Sequence, residues 1–337
     1  LSGDLLNPLV SEIKKILEKG RNNVAQVVNN ELIISYWKIG EIIVRYEQND
    51  SIRAEYGEQT LKQLSKELTK EFGKGFSRSN VYNMRLFYLT YEKIQTVSGK
   101  LSWSHYCELL SLSDKDKRSF YEKETLNSKW SVRELRRQVS TSLYERLLLS
   151  KSDVKKQEIL DLAAKGIELS NPSSMIKDPY VFEFLGFPED KPVMESDLEK
   201  ALVEKIEKFL LELGRGFMFV GTQQRVTLNN SHYYVDMVFY NKPLKSYVLI
   251  ELKTTKLVPE AAGQLNMYLN YYENEVNDEG DNKPIGIILC TDKDALTVEY
   301  ALGGLSNNIF ASKYTYYIPD KERLIAELEK IVEKWHE

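Results

Sequence analysis

An all-α region followed by an α/β domain is the fold this sequence predicts, and three observations carry that prediction. Through about residue 164, apolar residues recur at three- and four-residue intervals with almost no strand-like alternation. A stretch rich in Asn, Pro and Ser, LSNPSSMIKDP at 169–179, then breaks the pattern. Beyond it, helical stripes and runs of Val, Ile, Tyr and Phe alternate in the order helix, three strands, helix, strand. The expected organisation is a helical domain over 1–170 and an α/β domain over 171–337.

Composition narrows the function classes. A chain of 337 residues has room for about two domains, and 42% hydrophobic content is ordinary for a globular protein. No apolar run approaches the ~18 residues of a membrane span. The N-terminal LSGDLLNPLV lacks a basic segment followed by a long apolar core, so no secretory leader is expected. A start at Leu1 instead of Met is expected of a trimmed or tagged chain. The two cysteines, Cys107 and Cys290, and the three histidines, His105, His232 and His336, offer neither a disulfide framework nor zinc spacing. A reducing, cytoplasmic setting follows. The net charge of −4 is split: residues 1–150 hold 24 Lys and Arg against 19 Asp and Glu, or +5, and residues 151–337 hold 22 against 31, or −9. This is either the division of a basic phosphate-meeting half from an acidic cation-holding half, or ordinary surface variation.

In chain order, Leu32, Ile33, Tyr36, Trp37, Ile39, Ile43 and Val44 supply the core side of a long early helix. Leu61–Phe72 is an amphipathic helix, Gly73 and Gly75 make a turn, and Ser77 or Ser79 caps a second helix to about Tyr91. Arg78, Asn80, Asn83 and Arg85 near the start of that second helix give a helix-turn-helix-like pattern that reads DNA, or else an ordinary helix pair. Further helices are expected over Trp103–Ser113, Asp114–Leu126 and Ser131–Ser150, the last opened by a capping box of Ser131 and Glu134. Arg133, Arg136 and Arg137 cluster on its first turns, either for phosphate or as a solvated face.

In the second half, Leu198, Leu202, Ile206, Phe209 and Leu213 form one helical stripe that stops at Gly214. GFMFVGTQQRVTL is a first strand. Tyr233–Tyr240 and Tyr247–Lys253 flank a Pro-containing turn and form a hairpin. Pro259 opens the next helix, KPIGIILCT is a buried strand, and YTYYIP adds a strand before a closing helix from Asp320.

The hairpin carries the chemistry. If Tyr240 pairs with Tyr247, Asp236 falls opposite Glu251, with Cβ atoms roughly 5 Å apart, and Lys253 shares the face of Glu251. Both acids sit inside apolar runs, where charges need partners. A hard divalent cation on carboxylate oxygens supplies one, with Lys253 beside a metal-bound water. The chemistry implied is metal-assisted hydrolysis of a phosphodiester; the alternative is a solvated sheet edge.

That element order, with Asp236 and Glu251-Leu252-Lys253, resembles the PD-(D/E)XK nuclease superfamily. LEKALVEKIEKFLLELGRGFMFVGTQQRV, YYVDMVFYNKPLKSYVLIELK, PEAAGQLNMYLNYYENE and IGIILCTDKDALTVEYAL resemble the YhcG family of nuclease-fold proteins, and GFSRSNVYNMRLFY, LSWSHYCELL and WSVRELRRQV resemble its helical N-terminal domain. The resemblance implies a restriction endonuclease-like fold in which Asp236 and Glu251 ligate metal, the Leu252 carbonyl is a further ligand and Lys253 is the catalytic lysine. Val235 stands where the motif has proline. Gln264 and Tyr268 match a QxxxY element and, with Glu260, line the site or form a plain helix surface. Glu199, in preference to Glu204, is the candidate extra ligand from the first helix, and Gln223 and Arg225 match a polar pair that touches substrate phosphate or pairs structurally.

Together these readings lead to the expectation of an endonuclease that hydrolyses DNA with Mg²⁺ or Mn²⁺, cytoplasmic and dimeric, with no membrane contact. Its helical domain would bind DNA or self-associate. The alternative is a nuclease-fold DNA-binding or assembly protein that hydrolyses little and docks a protein partner in a DNA-processing or defence complex.

Overall fold

In the computed structural model, which describes residues 6–48, 57–94, 97–150, 156–169, 171–188, 191–305 and 308–333, the chain divides into two compact units, Leu1–Leu135 and Arg136–Glu337. The first is built on a 43-residue helix, α1 (Leu6–Gln48), which begins well before the apolar run that predicted it. Ile33, Ile43 and Val44 are buried as expected, whereas Leu32 is 41% exposed because it falls on another face of the helix. After α2 (Gly57–Phe72), Gly73 reverses the chain at φ 89°, a conformation that glycine adopts without steric cost. Ser77 then caps α3 (Arg78–Thr90) by accepting from the Asn80 N–H at 3.3 Å. Gly40 lets α1 and α3 approach closely, since a Cβ there would lie 2.1 Å from the Met84 carbonyl oxygen. Phe87, Tyr91 and Tyr106 meet in tilted and edge contacts at 4.8–5.5 Å, joining α3 to α4 (Trp103–Leu110). Asp114 caps α5 (Lys115–Ser128). The Ser131–Glu134 capping box opens α6 (Val132–Ser140), with both reciprocal hydrogen bonds made.

The helix expected over Ser131–Ser150 is two helices. Ser142 turns left-handed at φ 53°, separating α6 from α7 (Leu143–Leu149), and the Arg146 guanidinium donates to the Thr141 carbonyl and hydroxyl at the break. The division between units falls inside α6, upstream of the Asn- and Ser-rich stretch where the sequence changes character. The cause is charge: Arg137 and Arg146 belong to the buried network of the α/β unit. Glu212, fully buried, accepts from Arg146 and from Arg137 at 3.0 Å, and from the Val181 N–H at 3.0 Å.

After α8 (Lys156–Lys165), the second unit holds a six-stranded mixed sheet. Its strands are β1 (Tyr180–Val181), β2 (Phe217–Leu228), β3 (Ser231–Asn241), β4 (Ser246–Leu252), β5 (Ile285–Cys290) and β6 (Ile309–Thr315), in the spatial order β1-β6-β5-β4-β3-β2. β2, β3 and β4 are antiparallel, and β4, β5, β6 and β1 are mutually parallel. The stripe expected as one helix is α9 (Glu195–Glu204) and α10 (Ile206–Leu213), broken at Lys205, whose ammonium donates to the Phe184 and Leu185 carbonyls. These two helices pack Leu198, Leu202, Phe209 and Leu213 on Met237, Phe239, Ile250 and Ile287. The opposite face of the sheet, at Val238, Leu249 and Ile288, is covered by α11 (Pro259–Tyr271). β1 and α12 (Ala295–Leu302) were not expected; α12 supplies the crossover between parallel β5 and β6. α13 (Lys321–Glu333) closes the described chain.

Arg146→Ala should destabilise the protein by about 3–5 kcal/mol in chemical denaturation, because Glu212 would keep a buried charge without its nearest counter-ion. The charges of Arg146, Lys177 and Arg137 outweigh burial and hold the Glu212 carboxyl down at about 2. Its stabilisation is therefore complete above the ordinary glutamate range and lost as pH falls toward 2. Denaturation midpoints of wild type and Glu212→Gln should converge over that acid window.

Candidate active site

The β3–β4 hairpin has the register the sequence suggests, with Tyr240 opposite Tyr247 and Met237 opposite Ile250. Continued by one residue, it sets Asp236 level with Glu251 at the end of the hairpin. Asp236 accepts from the Leu252 N–H at 2.8 Å, which fixes the carboxylate against the β4 backbone. Lys253, just past β4, is anchored by its own N–H on the Leu289 carbonyl at 2.8 Å. Its ammonium lies 3.0 Å from Glu251 Oε1 and 3.3 Å from Glu195 Oε2. The sheet thus brings Asp236, Glu251 and Lys253 together.

Glu251 is 2% exposed, and its second oxygen, Oε2, is buried without a hydrogen-bond partner. Burial, then the neighbouring Asp236, push its carboxyl up to about 7 against the opposing pull of Lys253. Asp236 is also raised by burial, with the Leu252 N–H and Lys253 opposing. Burial works against the Lys253 charge, but Glu251, Glu195 and Asp236 outweigh it and hold that ammonium above the usual lysine range.

Two hard carboxylates, one with an orphaned buried oxygen, fit a divalent cation that keeps several waters. Among the described residues no three His, Cys, Asp or Glu side chains converge to cage a metal, so backbone and water oxygens would have to complete its shell.

The surrounding shell comes from α9 and β2. Gln223, in the left-handed region at φ 47°, directs its amide to Glu199 at 2.8 Å and to Asp236 at 3.4 Å. Glu199 therefore reaches the site through Gln223, and burial raises its carboxyl. Glu195 was missed. It holds both the Lys253 ammonium and the Thr254 N–H, and its spacing of four from Glu199, placing both on one helix face, was the signal that could have found it. Glu204 is exposed at the end of α9, and Glu260 is exposed in the first turn of α11. On α11, Gln264 donates to the Tyr268 hydroxyl at 2.6 Å, and that buried hydroxyl donates to the Tyr234 carbonyl at 3.1 Å. Burial, and then the charges of Glu251 and Asp236, raise the Tyr268 phenol, so α11 is electrostatically coupled to the hairpin. Arg225 is exposed two residues along β2 from Gln223 and forms no ion pair among the described residues.

Several expected phosphate contacts are otherwise engaged. Arg137 is bound by Glu183, Glu212 and the Val181 carbonyl, because packing of the α/β unit needs its charge inside. Arg85 lies on both carboxylate oxygens of Glu47 at 2.7 and 2.9 Å. Asn80 bridges within its unit, donating to the Gly75 carbonyl and accepting from the Trp103 indole. Arg78, Arg133 and Arg136 are exposed.

Residues 173–329 match the model of the YhcG PDDEXK nuclease domain, and residues 12–146 match that of the DUF1016 N-terminal domain. Over 345 residues the chain is 38% identical to the candidate nuclease YhcG of Escherichia coli (strain K12), covering 93% of this chain and 91% of the relative. Among solved structures, a repair endonuclease from Pyrococcus abyssi shares 16% identity at TM-score 0.26, over 40% of this chain and 50% of that one. EndoMS in a complex with double-stranded DNA shares 16% identity at TM-score 0.26, over 40% of this chain and 51% of that one. This chain thus spans about half the length of those solved structures, a likeness too low to carry weight.

Glu251→Gln should stabilise the metal-free protein above pH 7 by on the order of 3 kcal/mol, because the variant no longer buries a charge there. The native carboxyl holds its proton to about 7 while the unfolded one releases it near the ordinary value, so wild-type stability falls as pH rises between the two. The advantage of the variant in thermal melts should vanish below about pH 4.5.

Proposed function

The chain belongs to the YhcG family, whose C-terminal domain is a PDDEXK nuclease domain, and we propose that it is a Mg²⁺-dependent endonuclease cutting DNA at Asp236, Glu251 and Lys253. The observation that carries this reading is the buried Glu251, with a free oxygen, level with Asp236 and touching Lys253. Asp236 and Glu251 would hold the metal. When bound, the cation supplies neutralisation of the paired carboxylates and Lewis-acid stabilisation of charge developing on the phosphodiester.

The protein's own residues do the rest. Lys253, kept protonated by three carboxylates, orients the attacking water and stabilises the phosphate oxygens as they gain charge. Glu195 limits where that ammonium can point. Gln223 spans Glu199 and Asp236 and holds the Asp236 carboxylate in line with Glu251. The Gln264–Tyr268 pair braces β3 at the Tyr234 carbonyl. Arg225 and Arg133 contact phosphates of the substrate, while Arg78 and Arg136 contribute positive field. The helical domain, taken as 1–170, serves DNA binding or self-association in a cytoplasmic dimer.

With Mg²⁺, wild type should cleave at least one member of a panel of linear, supercoiled, branched and single-stranded DNA; EDTA should abolish cleavage, and Glu251→Ala or Lys253→Ala should lower its rate by ~10²-fold or more. Unchanged cleavage by either variant would discard this site. DNA bound but uncut by wild type across the panel would favour the binding-and-assembly role instead. Arg225→Ala should weaken DNA binding about equally for all sequences and reduce the salt slope by about 1.

A further inference from the structure

The N-terminal half of α1 has a pattern that the catalytic reading leaves unused. Every residue from Leu9 to Val28 is exposed, yet the sequence there is strongly amphipathic. On a helical wheel, nine of these twenty positions fall within an arc of roughly 120°, and all nine are aliphatic or glycine. The other eleven are polar apart from Ala25. The eight aliphatic side chains on the arc are 48–71% exposed. Farther along the same helix, the buried positions Ile33, Gly40, Ile43 and Val44 centre on the opposite side of the wheel, roughly 180° away. The stripe is therefore no extension of the face that packs inside its own unit.

Its spacing identifies the occupant. Val10, Ile13, Leu17, Gly20, Val24 and Val27 alternate by three and four, with Val10, Leu17 and Val24 at heptad positions a and Ile13, Gly20 and Val27 at d. Glu31 occupies the next a position and ends the seam. Val10 and Val24 place β-branched residues at a, as two parallel strands prefer, although d holds Ile13, Gly20 and Val27 in place of Leu. Charge selects the same arrangement. The flanking e positions hold Lys14, Arg21 and Val28, and the g positions hold Leu9, Ile16 and Asn23. Antiparallel pairing would oppose e to e and set cations against cations, whereas parallel pairing lays both long aliphatic stems over Leu9 and Ile16. The exposed apolar area is of order several hundred Å², matching the ~300–600 Å² of the largest patch on a typical monomer and approaching the ~800 Å² that each partner of a stable interface buries.

We infer that residues 9–28 of α1 form a parallel two-stranded coiled coil with a second copy of this chain. The seam is about 30 Å long, and it does not depend on the nuclease reading. Gly20 at a d position lowers helix propensity by about 1 kcal/mol, so the mass is best read over a concentration series.

Sedimentation of the full chain should approach twice its 39.1 kDa mass, and Ile13→Asp with Leu17→Asp should return it to one chain mass. Near-ultraviolet circular dichroism and the thermal transition of the α/β unit should stay unchanged in that variant. Lys15→Glu, on the polar side, should leave the dimer intact. Val10→Cys should form a disulfide-linked dimer under mild oxidation, because in parallel register position a faces its own copy; wild type, with only Cys107 and Cys290, should not. A wild-type chain that is monomeric at every concentration, a dimer that survives the Asp pair, or a trimer or tetramer would overturn the inference. So would a dimer in which Val10→Cys fails to cross-link. Mass is the readout throughout, so loss of cleavage cannot be mistaken for loss of assembly.

Discussion

Two carboxylates level with each other on adjacent strands, one of them shut away from water, form an arrangement that a sheet would ordinarily reject. The α/β unit is organised to tolerate it. Asp236 is held by the Leu252 N–H, and Glu251 by the Lys253 ammonium, whose backbone is fixed on β5. The hairpin lies between α9 and α10 on one face and α11 on the other, so the carboxylates cannot swing out to solvent without disturbing the core. What remains unsatisfied is one oxygen of Glu251. Burial and the neighbouring Asp236 raise that carboxyl to about 7.

A second buried charge, Glu212, is handled the opposite way. It has two guanidinium partners and a backbone N–H, and its carboxyl is held low instead of high. Two buried acids of one unit thus sit in opposite electrostatic environments. Glu212 has its partners supplied by the protein, and breaking them costs stability. Glu251 is paired with the Lys253 ammonium through one oxygen, and its other oxygen is buried without a hydrogen-bond partner.

Arginine clusters proved the least reliable guide. Arg85 and Arg137 looked like phosphate ligands because they sit near helix starts among other cations. Both are held by carboxylates distant in sequence, Glu47 for one and Glu183 with Glu212 for the other. A guanidinium with five donors suits either use, and only the fold decides which partner arrives first. Asn80 shows the same ambiguity, its amide consumed by Gly75 and Trp103.

The sequence by itself determined the core order of the α/β unit, though not β1 or α12, together with the register of the hairpin and the meeting of Asp236, Glu251 and Lys253. These are local quantities: strand alternation has a period of two, and a hairpin of known turn length leaves one register. The apolar stripe of residues 9–28 is likewise written in helical periodicity, although it lies outside the run from Leu32 that predicted α1. Tertiary structure alone decided that Glu195 would reach Lys253 and that Gln223 would join Glu199 to Asp236. It also decided that one expected helix would break at Ser142 and another at Lys205. Each of these depends on which side chains meet across long separations in the chain. Such meetings are set by packing and by the pairing of buried charge; a local pattern such as the Glu195–Glu199 spacing marks a shared helix face and leaves the partner open.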